Sequence, residues 1–126
     1  MAYEAILDQF TGIAAVDLSA KQYYAVSYDT NGNLNLAGAG KNMDGILQDK
    51  PKAGTSGLYA RDGISKVAIT AGVAVTMGAL LQVDAGGTLT PVSTGTAVAK
   101  ALQVVGAGGS SVVFITASIL RSNAGF

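Results

Sequence analysis

Large apolar side chains recur with a period of two through Val67, Ile69, Val73, Val75, Met77, Leu81 and Val83, with small or polar residues at most positions between them. That period belongs to a strand with one buried and one open face. Ala71-Gly72 and Gly78 cut the run into short strands, because glycine inside such a pattern marks a turn or bulge. Further strands are expected at residues 22–28, 34–37, 45–48, 57–60, 89–92, 98–103 and 112–116. Many short strands separated by glycine-rich turns predict an all-β fold, a small Gly-rich β-barrel or sandwich. Residues 1–20 depart from the pattern, since Tyr3, Ile6, Leu7, Phe10 and Ile13 follow a three-to-four spacing. They predict either a short helix covering the barrel or an N-terminal arm that leaves a domain of residues 21–126 and docks on a neighbour.

Two turns carry specific chemistry. Asp29-Thr30-Asn31-Gly32-Asn33 contains Asn-Gly, which tolerates the positive φ of a two-residue hairpin turn, and Asp84-Ala85-Gly86-Gly87-Thr88 offers the same option. These turns also expose an internal repeat, for Leu34 and Leu89 stand 55 positions apart and the same offset aligns much else. Asp29 meets Asp84, Gly32 meets Gly87, Gly40 meets Gly95, Leu47-Gln48 meets Leu102-Gln103, Tyr59 meets Phe114 and Ile64 meets Ile119. Two similar β-units are therefore expected, packed together in one core because half of this chain is too short to bury a core alone.

Composition narrows the function. Lys plus Arg and Asp plus Glu both number eight, and charged residues are 13% of the chain, about half the ordinary share. Such a chain lacks the clustered positive charge that nucleic acid or anionic membrane requires, and its weak self-repulsion favours life in an assembly. Cys and His are both absent, which removes thiol chemistry, the commonest general base and the commonest transition-metal ligand. The uncharged stretch between Lys66 and Asp84 alternates and contains Gly72 and Gly78, which are traits of sheet and not of a membrane helix. No basic, apolar leader opens the sequence, so export by a signal peptide is not expected.

Each candidate for chemistry has a plainer reading. Ala37-Gly38-Ala39-Gly40-Lys41-Asn42 has the look of a phosphate loop, but Asn35 and Asn42 stand where Gly and a hydroxyl residue are needed, and no helix pattern follows. Gly106-Ala107-Gly108-Gly109-Ser110-Ser111 reads as a turn between strands. The Asp29 turn fails as a calcium loop because Gly40 occupies the place of the bidentate Glu. Ser65-Lys66 are neighbours in a strand and point to opposite faces, so they read as sheet edge and not as nucleophile and base. Tyr23, Tyr24, Tyr28 and Tyr59 suggest a stacking platform, but core or subunit-interface packing is the reading expected of them. No catalytic, cofactor-binding or metal-ligating residue is assigned, and an enzyme is not expected.

Three phrases carry a family resemblance. The run from Ile69-Thr70-Ala71-Gly72-Val73 through Gly78-Ala79-Leu80-Leu81 to Asp84-Ala85-Gly86-Gly87 resembles a phrase of the tailed-phage capsid decoration (cement) proteins. Gly45-Ile46-Leu47-Gln48-Asp49-Lys50-Pro51-Lys52-Ala53-Gly54 is similar to another, and Val98-Ala99-Lys100-Ala101-Leu102-Gln103 to a third, although Lys100 departs from its pattern. The resemblance implies a virion structural protein on the outer surface of the capsid, a homotrimer that binds and bridges subunits of the major capsid protein. Tyr3, Ile6, Leu7, Phe10 and Ile13 are the candidate capsid or inter-protomer contacts. The alternatives are another virion β-module, such as a tail or head-fibre component, and a small carbohydrate- or ligand-binding barrel.

Overall fold

The computed structural model describes residues 5–106 and 112–120, and among them the regular elements are all strands apart from one 3-10 turn at Ala85–Gly87. The strands are β1 (Ala5–Ile13), β2 (Ala25–Tyr28), β3 (Leu34–Leu36), β4 (Gly45–Leu47), β5 (Ser56–Ile69), β6 (Leu80–Val83), β7 (Leu89–Pro91), β8 (Ala99–Ala101) and β9 (Val113–Ile119). The all-β expectation holds, and the helix that is one of the two readings of residues 1–20 does not form over Ala5–Ile13. Ala5–Ile13 is an extended strand paired antiparallel with β5, with a register irregularity around Asp8. Backbone pairing along β5 outweighs the helical spacing of the apolar residues.

β5 organises the molecule. Its first half pairs with β1 and β4, and its second half, from Gly63 to Ile69, pairs with β9 and touches β7. Two small barrels result. The first runs β1-β5-β4-β2-β3 and closes where Ala14 bridges Leu34. The second runs β5-β9-β8-β6-β7 and closes where Ile69 meets Leu89. The polar segment Arg61-Asp62-Gly63, which interrupts the strand pattern in sequence, is where β5 passes from one barrel to the other, with Gly63 at φ 105°.

The internal repeat is real in the backbone. Val26 faces Leu36 as Leu81 faces Pro91, and Tyr28 faces Leu34 as Val83 faces Leu89. Gly12 faces Gly57 as Val67 faces Ile115, and Ile13 faces Ser56 as Ala68 faces Phe114. Even the closures agree: Ala15 N donates to Leu34 O at 2.7 Å, and Thr70 N donates to Leu89 O at 3.0 Å. The gapless alignment is corrected beyond Gly95. The pair Leu47–Tyr59 answers to Ala101–Ala117, not to Leu102 with Phe114, because the segment before β8 is shorter and the one before β9 longer than its counterpart.

Both turns are three-residue loops rather than two-residue hairpins. Asp29 N donates to Asn33 O and Gly32 N to Asp29 O; Asp84 N donates to Thr88 O and Gly87 N to Asp84 O. Asn31 keeps a negative φ while Gly32 takes +80°, so the first loop is a type I turn followed by a left-handed glycine. Residues 71–79 do not form the expected strand either. Gly72 and Gly78 adopt positive φ, a lone bridge from Val75 to Val105 remains, and Met77 turns out to solvent at 66% exposure.

Two apolar clusters replace the single expected core. Ala14, Leu18, Val26, Leu34, Leu47 and Tyr59 fill the first barrel. Val67, Ile69, Leu81, Val83, Leu89, Ala101, Ile115 and Ala117 belong to the second, which also takes in Ala25, Ala37, Ile46 and Ala60 from the outside of the first. Alternation along each strand accounts for this division: Val26, Leu47 and Tyr59 point into their own barrel, whereas Ala25, Ile46 and Ala60 point at its neighbour.

Candidate interaction surfaces

The candidate contact residues of the amino-terminal segment do not assemble into one stripe. Tyr3 lies outside the described residues, and Ile6 and Leu7 fall within β1. Phe10 and Ile13 are both about half exposed, but on a strand they face opposite ways. Phe10 lies 6.0 Å from the Tyr59 ring with the Arg61 guanidinium 5.6 Å above it, while Ile13 pairs with exposed Ser56. Gly12 lies on the inward face: a Cβ there would stand 2.8 Å from Leu34 Cγ and 3.0 Å from Tyr28 Cε1. This close approach lets Tyr28 lean over the barrel, where its hydroxyl donates to Thr11 O at 3.2 Å. The Tyr59 hydroxyl, 2.9 Å away, accordingly donates to Tyr28. Burial, and then this hydrogen bond, push the Tyr59 hydroxyl far above the usual phenol range.

A second surface lies between the barrels. Ser19, Ala20, Gln22, Tyr23, Lys50 and Phe114 line a cavity of about 280 Å³. Tyr23 meets Phe114 edge-on at 5.7 Å, and Lys66 Nζ lies 5.7 Å from the Tyr23 ring centre. Tyr23 is held at φ 71°, a conformation costing an L-residue on the order of 1–2 kcal/mol. The equivalent residue of the second barrel is Gly78, at φ 80°. Backbone bonds from Tyr23 N to Leu47 O and from Ala68 N to Tyr23 O fix the strained residue, and this kink delays the strand expected at residues 22–28 until Ala25. Beside the cavity, Ser19 donates to Asp17 through its hydroxyl and its N–H, which holds that carboxyl below its ordinary range.

The third surface is on the second barrel, where Met77, Leu80, Val92 and Val104 are 38–71% exposed. The alternating pattern in the sequence placed Met77 among its large apolar positions and missed this patch. Its signal is the substitution of larger apolar residues where the repeat has alanine in the first barrel: Leu80 for Ala25 and Val92 for Ala37.

The polar side chains singled out in sequence serve the fold. Ser65 is fully buried in mid-sheet, not at an edge; its hydroxyl donates to Lys66 O and accepts from Gln48 Nε2 at 2.8 Å. Asp29 Oδ1 accepts from Asn31 N and Asn33 N, so this carboxylate braces its own turn. The Gly38–Lys41 bond is a turn with no helix behind it. The Gly106–Ser111 candidate falls largely outside the described residues. Among the described residues, no group of three or more Asp or Glu side chains gathers as a metal site would require.

No family model matches the chain, and no curated protein matches its sequence. A solved structure does resemble it: the N base of the head fibre protein gp8.5 of bacteriophage phi29. The TM-score is 0.64 with 20% identity, over 91% of this chain and 95% of that one. At that identity the likeness is one of fold.

Proposed function

We propose that this protein is a structural component of a tailed-phage virion, attached to the outer surface of the head through the major capsid protein and acting by binding, without catalysis. The observation that carries the reading is the shared fold with a phage head-fibre base over nearly the whole of both chains. The cement-like phrases of the sequence point to the same location by a separate route, and the polar side chains described above are committed to turns and ladders. Several copies acting together, as in the expected homotrimer, make later contacts effectively intramolecular, so modest patches add up to firm attachment. Phe10 and Ile13 are the candidate contacts with the capsid or an adjoining protomer that stand exposed.

A second reading, favoured by the identity of the similar structure, makes the chain the base of a head fibre. Mixing purified protein with undecorated expanded heads and imaging them tests both. Regular density the size of two barrels on the shell supports decoration, and a shaft rising from that density in native particles supports a fibre base. Bare heads at saturating protein would overturn both, and a thermal shift with glycans would then favour the small ligand-binding barrel.

A further inference from the structure

Among the described residues the outside of one barrel receives a turn of the other, and the repeat supplies each half of that joint twice. The receiving half is the outside of the first barrel. Ala25 pairs with Ile46 and Ile46 with Ala60, and all three are fully buried, with Ala37 beside them. The inserted half is the turn at residues 84–88 of the second barrel. Gly87 sits so close that a Cβ would stand 3.0 Å from Leu36 Cδ2 and 3.2 Å from Ala25 O. Backbone bonds from Gly40 N to Val83 O at 2.7 Å and from Thr96 N to Gly40 O at 3.1 Å lock the two halves.

The unused halves are equally definite. The outside of the second barrel carries the equivalent row, Leu80 paired with Lys100 and Lys100 with Ser118. Leu80 is 48% exposed, with Val92 and Met77 also in solvent. The unused insert is the turn at residues 29–33, which has the same backbone bonds as its twin, yet no described residue lies within 4 Å of where a Cβ on Gly32 would stand. Because both are exposed, they do not meet within one chain.

We propose that the socket Met77, Leu80, Val92 and Lys100 receives the turn at residues 29–33 of a second copy, repeating between chains the joint that each chain makes internally. Charge agrees with this pairing, since the only charged residue of that turn is Asp29 and the only one in the socket is Lys100. Lys100 replaces Ile46 of the internal joint; its stem covers apolar surface while its ammonium keeps the empty socket wet. The contact is heterologous, so it closes into a ring or runs on as a filament according to the rotation between copies. It specifies how copies would meet in the assembly proposed above, but it is decided with purified protein alone.

Sedimentation of the purified chain over a wide concentration range is expected to show association beyond one copy. Lys100→Glu faces Asp29 with a like charge and is expected to weaken association about tenfold, and adding Thr30→Lys should restore most of it. Leu80→Glu should weaken it without altering the circular dichroism of the fold. In a mixture of Asn31→Cys and Val92→Cys chains, a short bis-maleimide should link the two variants to each other, while neither alone yields a linked pair. A single-copy mass at every concentration, or association untouched by both Lys100→Glu and Leu80→Glu, overturns the inference. Shell binding by such a solitary chain would leave the attachment reading standing.

Discussion

In the first barrel Phe10 faces Tyr59 and Gly12 faces Gly57; in the second the same places hold Ser65 with Ala117 and Val67 with Ile115. Leu47 beside Tyr59 becomes Ala101 beside Ala117, while Ala14 becomes Ile69 and Tyr28 becomes Val83. The first interior holds one buried ring, Tyr59, among aliphatic residues and beside glycines, with Phe10 and Tyr28 half exposed against it; the second sets aliphatic residues against small ones. The strand pairing that encloses them is the same. The contrast teaches that turns and register fix this small barrel, whereas volume is balanced across the interior as a whole and not position by position.

The comparison breaks most severely at Tyr59. Tyr59→Ala removes the largest side chain of the first interior and leaves Tyr28 without its donor, so a loss of roughly 3–5 kcal/mol is expected in denaturant unfolding. A loss under about 1 kcal/mol would mean that the aromatic filling is incidental. Gly12→Val imports the residue of the second barrel into the first. With Leu34 and Tyr28 already at the limit of approach, it should destabilise by roughly 1–3 kcal/mol. Stabilisation instead would show that the two interiors are interchangeable residue by residue.

The smallest effect is on pH. The phenol of Tyr59 is harder to ionise folded than unfolded, so its contribution is fully present below the unfolded value of about 10 and declines as pH rises above it. Alkaline titration of unfolding should therefore expose a drop that Tyr59→Phe flattens. The second barrel has Ala117 at this position and supplies no such term.

Much of this architecture was legible in the sequence because its signals are local. Alternation and glycine spacing placed β2, β3, β4, β7 and β8 within a few residues, and the offset of 55 positions aligned the two hairpins that the backbone pairs identically. Three features were hidden for separate physical reasons. β1 reads as helix because its apolar spacing suits one, and only its pairing with β5 makes it a strand. The length of β5 is masked by Arg61-Asp62-Gly63, polar because that stretch bridges two barrels instead of facing one core. The kink at Tyr23 has no sequence signal of its own, since it takes the conformation that its counterpart Gly78 adopts without strain. Of the candidate contact residues, the spacing found exposed Phe10 and Ile13 but put them on one face, which a period of two forbids. The exposed patch around Leu80 emerges only when its residues are set beside their buried equivalents.

β5 is one uninterrupted strand of 14 residues, about 46 Å long at the usual rise. Force applied to either half therefore travels along covalent backbone, with no linker to swivel or stretch. The two barrels are thus held at a set spacing by one continuous stretch of backbone.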